Sequence, residues 1–297
     1  MSGLEYDHLT VPVAGGDMFV ARWAGGTPVL AVHGISGSHA AWTWVADELA
    51  GAATLIAPDL RGRGASAGLP APFGMAAHAA DLVAVLDHLE LPRVVVVGHS
   101  MGAWIAATLA ARYPDRVRSV ILLDGGLPQR LPEGVDPDTQ AATVLGPALA
   151  RLDMTFPSRG AYLKFWAAHP AFAAPGAWDA RLEHYLRWDL GGETPSLRSR
   201  ASLAAVTADF RDMLGPAGLD SRKVRAPMLL LRAPRGLLNQ PEPFLSEKSV
   251  ARNLPCLPGA RHELVEGTNH YTLVMGAGAK VVADRVRAAA AESDEAT

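Results

Sequence analysis

Arg93-Val94-Val95-Val96-Val97-Gly98-His99-Ser100-Met101-Gly102-Ala103-Trp104-Ile105-Ala106-Ala107 is where the fold of this chain can be read. Four consecutive valines bounded by a glycine spell a short strand buried on both faces. Small-residue helix formers follow at once, to about Tyr113. Strand therefore gives way to helix within a few residues, and Ser100 sits at the tip of the turn with a glycine two positions to either side. Glycines there let the backbone turn sharply, and the helix that follows presents the Met101 N–H to an anion. A serine that only capped the helix would need no such flanks.

Working outward, apolar runs bounded by Gly, Pro or Asp alternate with longer amphipathic stretches. That is the pattern of a mostly parallel sheet covered by helices on both faces. Leu9–Val13 and Met18–Ala24 flank Ala-Gly-Gly-Asp as a hairpin. Pro28–Val32, Thr54–Ala57, Val117–Leu123, Pro227–Leu231 and His262–Val265 read as strands. Ala40–Leu49, Met75–Leu89 and Met275–Ala291 read as helices, with Ala80, Val83, Leu86 and Leu89 near one face of the second. From Leu127 to Lys223 no strand is evident. Three of the seven tryptophans, Trp166, Trp178 and Trp188, fall there with Phe156, Tyr162, Phe165, Phe172 and Tyr185. The division expected is core over 1–126, helical lid insertion over 127–223, and core again over 224–297.

Composition narrows the function classes. With 297 residues, 49% hydrophobic and 19% charged, the chain can bury a large core. A formal net charge of −3 without a Lys/Arg cluster points away from nucleic acid and from anionic membrane. A single cysteine, Cys256, allows no intrachain disulfide, fits a reducing compartment, and is read as ordinary packing. The polar, acidic start Met-Ser-Gly-Leu-Glu-Tyr-Asp lacks a signal-peptide pattern, and no apolar run reaches membrane length. The reading is a soluble cytoplasmic protein; nothing in the pattern fixes an oligomeric state. The ten histidines are scattered and neither His-Glu-x-x-His nor paired cysteines occur, so no metal is expected. Gly-x-Gly-x-x-Gly is absent after the first strand, so no dinucleotide or other cofactor is expected.

With Gly98-His99-Ser100-Met101-Gly102 in its strand–turn–helix setting, two further motifs make the chain resemble the α/β-hydrolase family over nearly its whole length. His33-Gly34-Ile35-Ser36-Gly37, with Trp42 beyond, is similar to the family's oxyanion loop. Asp59-Leu60-Arg61-Gly62-Arg63-Gly64-Ala65-Ser66 is similar to its strand-end motif Asp-x-Arg-Gly-x-Gly-x-Ser. The resemblance implies an α/β-hydrolase fold with a helical lid, Ser100 as nucleophile, and backbone N–H groups of Ile35 and Met101 as oxyanion donors. It implies that His33 braces its loop, that His99 packs or lines the pocket with its side chain away from Ser100, and that Asp59 orders the Arg61–Ser66 loop.

A serine hydroxyl needs a base, an acid to orient that base, and donors for the developing oxyanion. His270, in Gly267-Thr268-Asn269-His270-Tyr271 just past the last strand, is the base the resemblance implies; His262, at the start of that strand, is its competitor. The acid departs from the common pattern. The loop after Pro227–Leu231, where it usually stands, holds no aspartate, and its first carboxylate is Glu242. Asp124, in Leu122-Leu123-Asp124-Gly125-Gly126, ends the strand after the nucleophile strand, a place some members of the family use. Asp124 is preferred and Glu242 is the alternative.

The resulting expectation is a serine hydrolase acting on small, largely apolar carboxylic esters through an acyl-enzyme. His33, Gly34, His99, Trp166, Trp178, Trp188 and Tyr271 are the candidates for its substrate pocket. The three tryptophans serve equally well as the insertion's own core. A thioesterase, lactonase, carbon–carbon bond hydrolase or cofactor-free perhydrolase would use the same triad. A serine at position 100 argues against the fold's epoxide hydrolases and dehalogenases, which need an aspartate. A non-catalytic binding protein on a hydrolase scaffold is the alternative of another class, favoured only by the unusual acid position.

Overall fold

The computed structural model describes residues 3–294 apart from Arg130, Pro132 and Pro258. The chain opens with the hairpin of β1 (Asp7–Val13) and β2 (Gly16–Trp23). Its turn needs two glycines because Gly15 and Gly16 both take positive φ, 90° and 148°. Next come β3 (Thr27–Val32), a 3-10 turn over His39–Trp42, α1 (Thr43–Leu49), β4 (Ala53–Pro58) and α2 (Met75–His88). The valine run is β5 (Val94–His99); α3 (Met101–Arg112) and β6 (Val117–Leu123) follow. Then a long excursion holds α4 (Pro137–Asp153), α5 (Arg159–Ala167), α6 (Ala180–Asp189), the short pair β7 (Leu190–Gly191) and β8 (Arg198–Ser199), and α7 (Leu203–Leu214). The chain closes with β9 (Met228–Arg232), α8 (Glu247–Asn253), β10 (Arg261–Leu264) and α9 (Ala279–Asp294).

Eight strands form one sheet in the order β1-β2-β4-β3-β5-β6-β9-β10. β1 and β2 join antiparallel, β2 and β4 likewise, and every other pairing is parallel. The valines of β5 show why the sheet has helices on both faces. Val94 and Val96 belong to one apolar layer with Leu82 and Val85 of α2 and Ile105 and Leu109 of α3. Val95 and Val97 belong to the opposite layer with Val45 of α1 and Val282 and Val286 of α9. That is the two-residue alternation of a strand with apolar layers above and below it. Each valine so buried contributes roughly 1.5–3 kcal/mol relative to exposure. The chain leaves β3 for β4 on one side and returns to β5 on the other, and this reversal opens a crevice at the carboxyl ends of the strands.

Several expectations need correction. The last helix begins at Ala279, not Met275, because Tyr271–Gly278 is a chain of turns in which the Met275 N–H donates to Tyr271 O (2.9 Å) and the Gly278 N–H to Thr272 O (2.9 Å). The stretch read as helix from Ala40 starts as a 3-10 turn. The excursion is not strandless, but β7 and β8 have two residues each, too few to leave a periodic trace. Ala80 is exposed; the inward face of α2 is Met75, Ala79, Leu82, Val85 and Leu86, with Asp81 drawn in by Arg61. Cys256 is exposed at the end of a 3-10 turn and is not packed.

Candidate active site

Ser100 joins β5 to α3 with φ 54° and ψ −123°, a conformation costly for any residue with a side chain. Its surroundings hold it there. The Ser100 N–H donates to Leu123 O (2.8 Å), and its carbonyl accepts from the Ala103 N–H (2.9 Å). Glycine at 98 and 102 is a steric requirement: a Cβ at Gly98 would stand 2.1 Å from Gly102 O, and one at Gly102 2.1 Å from Val32 O. The register of β5 on β6 sets His99 opposite Leu123, so the next residues along, Ser100 and Asp124, emerge side by side.

The loop after β3 lies against this turn. A Cβ at Gly34 would come 3.2 Å from the Ser100 Cβ. His33 is fully buried behind the loop, where its Nε2 accepts from the Leu60 N–H (3.0 Å) and its Nδ1 donates to Gly34 O (2.8 Å). Burial pushes its pKa down to about 4, so it stays neutral. Arg63 completes the brace. Its Nε donates to Ile35 O (2.8 Å), and its Nη1 pairs with Asp209 of α7 at 2.5 Å, both side chains sealed from solvent. His78 Nε2 and the Gly74 N–H also reach Asp209. Burial works to raise the Asp209 pKa, but His78 and Arg63 together hold it below the ordinary carboxylate value. In the sequence, Arg63 stands out only as part of the Asp59–Ser66 motif, and Asp209 not at all.

His270 stands on the loop after β10, with Nδ1 2.7 Å from Asp124 Oδ2. The two side chains are 4% and 0% exposed, so their contact is shielded from water. Asp124 has φ 46° at the end of β6, fixed by its N–H donating to Leu231 O (2.8 Å), and its buried Oδ1 has no hydrogen-bond partner among the described residues. Glu242, the alternative acid, is exposed and is not the carboxylate that meets His270. The loop after β9 instead supplies a backbone group: Arg235 O accepts the His270 N–H (3.1 Å). Asn269 Oδ1 accepts the N–H groups of Tyr271 (3.0 Å) and Thr272 (2.9 Å), which shapes the turn presenting His270. His99 Nε2 donates to His270 O (2.9 Å). Burial, and then the neighbouring His270, lower the His99 pKa to about 3, so its ring remains a neutral donor. His262 lies on the edge strand β10.

Ser100 and His270 line one cavity of about 50 Å³ together with Gly34, Ile35, His99 and Tyr271. It abuts a larger one of about 180 Å³ whose walls include Arg151, Trp166, His169 and Tyr271. His33, Trp178 and Trp188 line neither. Trp188 is instead a strut between the excursion and the core: its Nε1 donates to Asp59 Oδ2 (2.8 Å) and its ring stands edge-on to His39 at 4.6 Å. Asp59 also accepts from the Ala65 N–H (2.8 Å) and from both the backbone and ring of His39. Trp178 bonds Glu183 within the excursion (3.4 Å). Arg151, His169, Tyr185 and Phe244 were missed as lining residues. They come from four separate segments, α4, the turn after α5, α6 and the loop after β9, with no shared motif.

Among the described residues no group of three or more His, Cys, Asp or Glu is placed to hold a metal ion. No described helix is long and apolar enough to cross a membrane.

A family model described as alpha/beta hydrolase fold matches residues 27–162. The lipase LipV of Mycobacterium tuberculosis is 37% identical over 142 residues, 46% of this chain and 54% of its own. A 2-(acetamidomethylene)succinate hydrolase of Mesorhizobium japonicum is 28% identical over 252 residues, 84% of this chain and 86% of its own. The chain spans only 31% of the length of some uncharacterized mycobacterial relatives that it matches at 39% identity. Among solved structures, an E-2-(acetamidomethylene)succinate hydrolase superposes with a TM-score of 0.77 at 23% identity, covering 95% of this chain and 98% of that one. That likeness is one of fold.

Proposed function

This chain belongs to the α/β-hydrolase fold family, and on that premise we propose that it is a serine hydrolase cleaving small, largely apolar carboxylic esters through an acyl-enzyme. The observation that carries the reading is the buried 2.7 Å contact of His270 with Asp124, behind the cavity that His270 lines together with Ser100. With Nδ1–H donating to Asp124, His270 keeps Nε2 free to accept the Ser100 proton. Ser100 Oγ attacks the ester carbonyl, and the oxyanion forms beside the N–H groups of Ile35 and Met101. One donor of that kind is worth about a hundred- to a thousandfold in rate. The tetrahedral intermediate collapses, the C–O bond breaks, and His270 returns its proton to the leaving alcohol. Water then attacks the acyl-Ser100 carbonyl with His270 as base, releasing the acid and restoring the hydroxyl.

The relatives, a lipase and a 2-(acetamidomethylene)succinate hydrolase, support hydrolysis and leave the bond open to variety. The excursion between β6 and β9 acts in this reading as a lid, since its Arg151, Trp166 and His169 close one wall of the adjoining cavity.

The test is Ser100→Ala assayed on short 4-nitrophenyl esters, with circular dichroism to show the fold retained. Turnover should fall to background, and a fluorophosphonate probe should label the wild-type chain at Ser100 alone. Retained turnover sinks the mechanism. Absence of labelling would instead favour a binding protein on this scaffold.

A further inference from the structure

The cavity holding Ser100 and the larger one beside it share Leu145, Ala148, Leu237 and Tyr271 in their walls. The larger space reaches the surface past Thr143 and Leu238, both exposed. Of the described residues lining the two, Arg151 is the only Lys, Arg, Asp or Glu. A buried cation on an otherwise apolar wall carries a large desolvation cost, so its partners decide its meaning.

Arg151 is 3% exposed. Nη1 makes its protein bonds, to Asp189 Oδ2 (2.6 Å) and to the Tyr162 hydroxyl (2.9 Å), and the guanidinium lies over Trp166 with Cζ 5.3 Å from the ring centroid. Asp189 lines neither cavity, so it anchors the guanidinium from behind. The Nε and Nη2 edge has no bonded partner among the described residues. Tyr185 and Tyr271 lie within electrostatic reach of the same guanidinium, and neither hydroxyl is bonded to a described protein group. His169 accepts the Ala171 N–H at Nδ1 (3.2 Å), which leaves its proton on Nε2. Asp189 meets Nη1 from behind, and on the cavity side Arg151, His169 and Tyr271 gather as donors in an apolar slot whose described lining holds no acid, the complement of a carboxylate.

We propose that this slot binds a carboxylate on the substrate, so that the preferred substrates are esters carrying an acid group a short apolar span from the scissile carbonyl. The proposal rests on the serine-hydrolase reading and narrows it. Arg151, held in a fixed plane by Asp189, Tyr162 and Trp166, supplies a preorganised donor edge, with Tyr271 spanning both cavities beside it.

The experiment compares mono-4-nitrophenyl esters of glutaric, adipic and suberic acid with 4-nitrophenyl alkanoates of matching length. At least one half-ester should exceed its neutral counterpart in kcat/KM by about tenfold or more, chiefly through KM, as a charge-assisted bond provides. Arg151→Gln and Tyr271→Phe should each shrink that ratio. Because Arg151→Gln strips Asp189 of its partner and can unfold the chain, a wild-type measurement runs beside it. Turnover of a neutral ester should be inhibited competitively by adipate at about one-tenth the concentration of adipamide needed, or less. Equal kcat/KM for both ester sets and equal inhibition by acid and amide overturn the proposal while leaving the serine-hydrolase reading intact. No turnover of either set, with no fluorophosphonate labelling of Ser100, overturns both.

Discussion

Asp124 Oδ2 and His270 Nδ1 stand 2.7 Å apart although 146 positions separate them in the chain. The carboxylate comes from β6, beside the strand β5 that leads into Ser100, and the imidazole from beyond the last strand. Asp124→Asn replaces an acceptor with an amide that no longer enforces the Nδ1–H tautomer. It should lower kcat by about 10⁴-fold, while Glu242→Gln should leave kcat within about twofold. Steady-state kinetics on one chromogenic ester decides it: loss of turnover only in the Glu242 variant would reverse the assignment.

Gly102→Ala should damage the nucleophile turn without touching any polar group. The added methyl falls 2.1 Å from Val32 O and 2.7 Å from His33 O, backbone atoms that cannot swing aside. A destabilisation of about 2 kcal/mol or more is expected, with activity lost in what remains folded. Urea unfolding at pH 7.5 measures the first part. A midpoint unchanged from wild type contradicts the crowding argument.

The Arg63–Asp209 pair joins the Ile35 loop to α7 inside the protein. Removing one member strands a buried charge, so Arg63→Met or Asp209→Leu should each cost about 3–5 kcal/mol. The double variant should cost less than the sum of the two. Arg63→Met should also lower kcat more than it raises KM, because its Nε steadies the Ile35 carbonyl and not the substrate. Chemical denaturation of all four species gives the coupling, and strict additivity argues against a direct pair.

Stability should fall between pH 7 and pH 4.5. His33 and His99 have folded pKa values of about 4 and about 3, against 6.5 in the unfolded chain. The unfolded state therefore binds more protons below pH 6.5, and each histidine's contribution is lost as pH falls from there toward its folded value. At pH 5 this amounts to about 2 kcal/mol apiece. Asp59 and Asp209, whose folded pKa values are lowered by their histidine and arginine partners, lose their contributions only below about pH 4, so the two effects separate along the axis. Urea midpoints across this range should slope downward with acid, and a flat profile from pH 7 to 4.5 refutes the neutral burial of both rings.

Trp188 and Trp166 should behave differently under substitution. Trp188→Phe deletes the hydrogen bond to Asp59 and should cost about 1–2 kcal/mol with little change in KM. Trp166→Ala removes a cavity wall and should shift KM across an ester chain-length series. If Trp188→Phe alone changes the chain-length profile, the division of roles is wrong.

The Ser100 turn was legible because its geometry is local. A buried strand, two crowded glycines and a helix start must be adjacent in the chain to make the turn, so their order is visible in residues 93–107. The histidine loop and the Gly34–Gly37 loop carry the same kind of signal, each being fixed to a strand end by a short motif. The strands were legible because burial on two faces leaves a run of valines, isoleucines and leucines.

Tertiary structure alone decided the rest. Which carboxylate meets His270 depends on β6 lying between β5 and β9, and strand order is not written in any local period. Which tryptophan lines a cavity depends on how the helices of the excursion dock. Trp166 and Trp188 have similar amphipathic surroundings, yet one faces the slot and the other reaches Asp59. Arg151 and Asp209 gave no signal, because a charged residue on a helix is ordinarily a solvated one. Only close packing, which removes water and leaves each charge to the partner it finds, makes Asp209 a brace for the Ile35 loop through Arg63 and Arg151 part of the wall of the cavity adjoining Ser100.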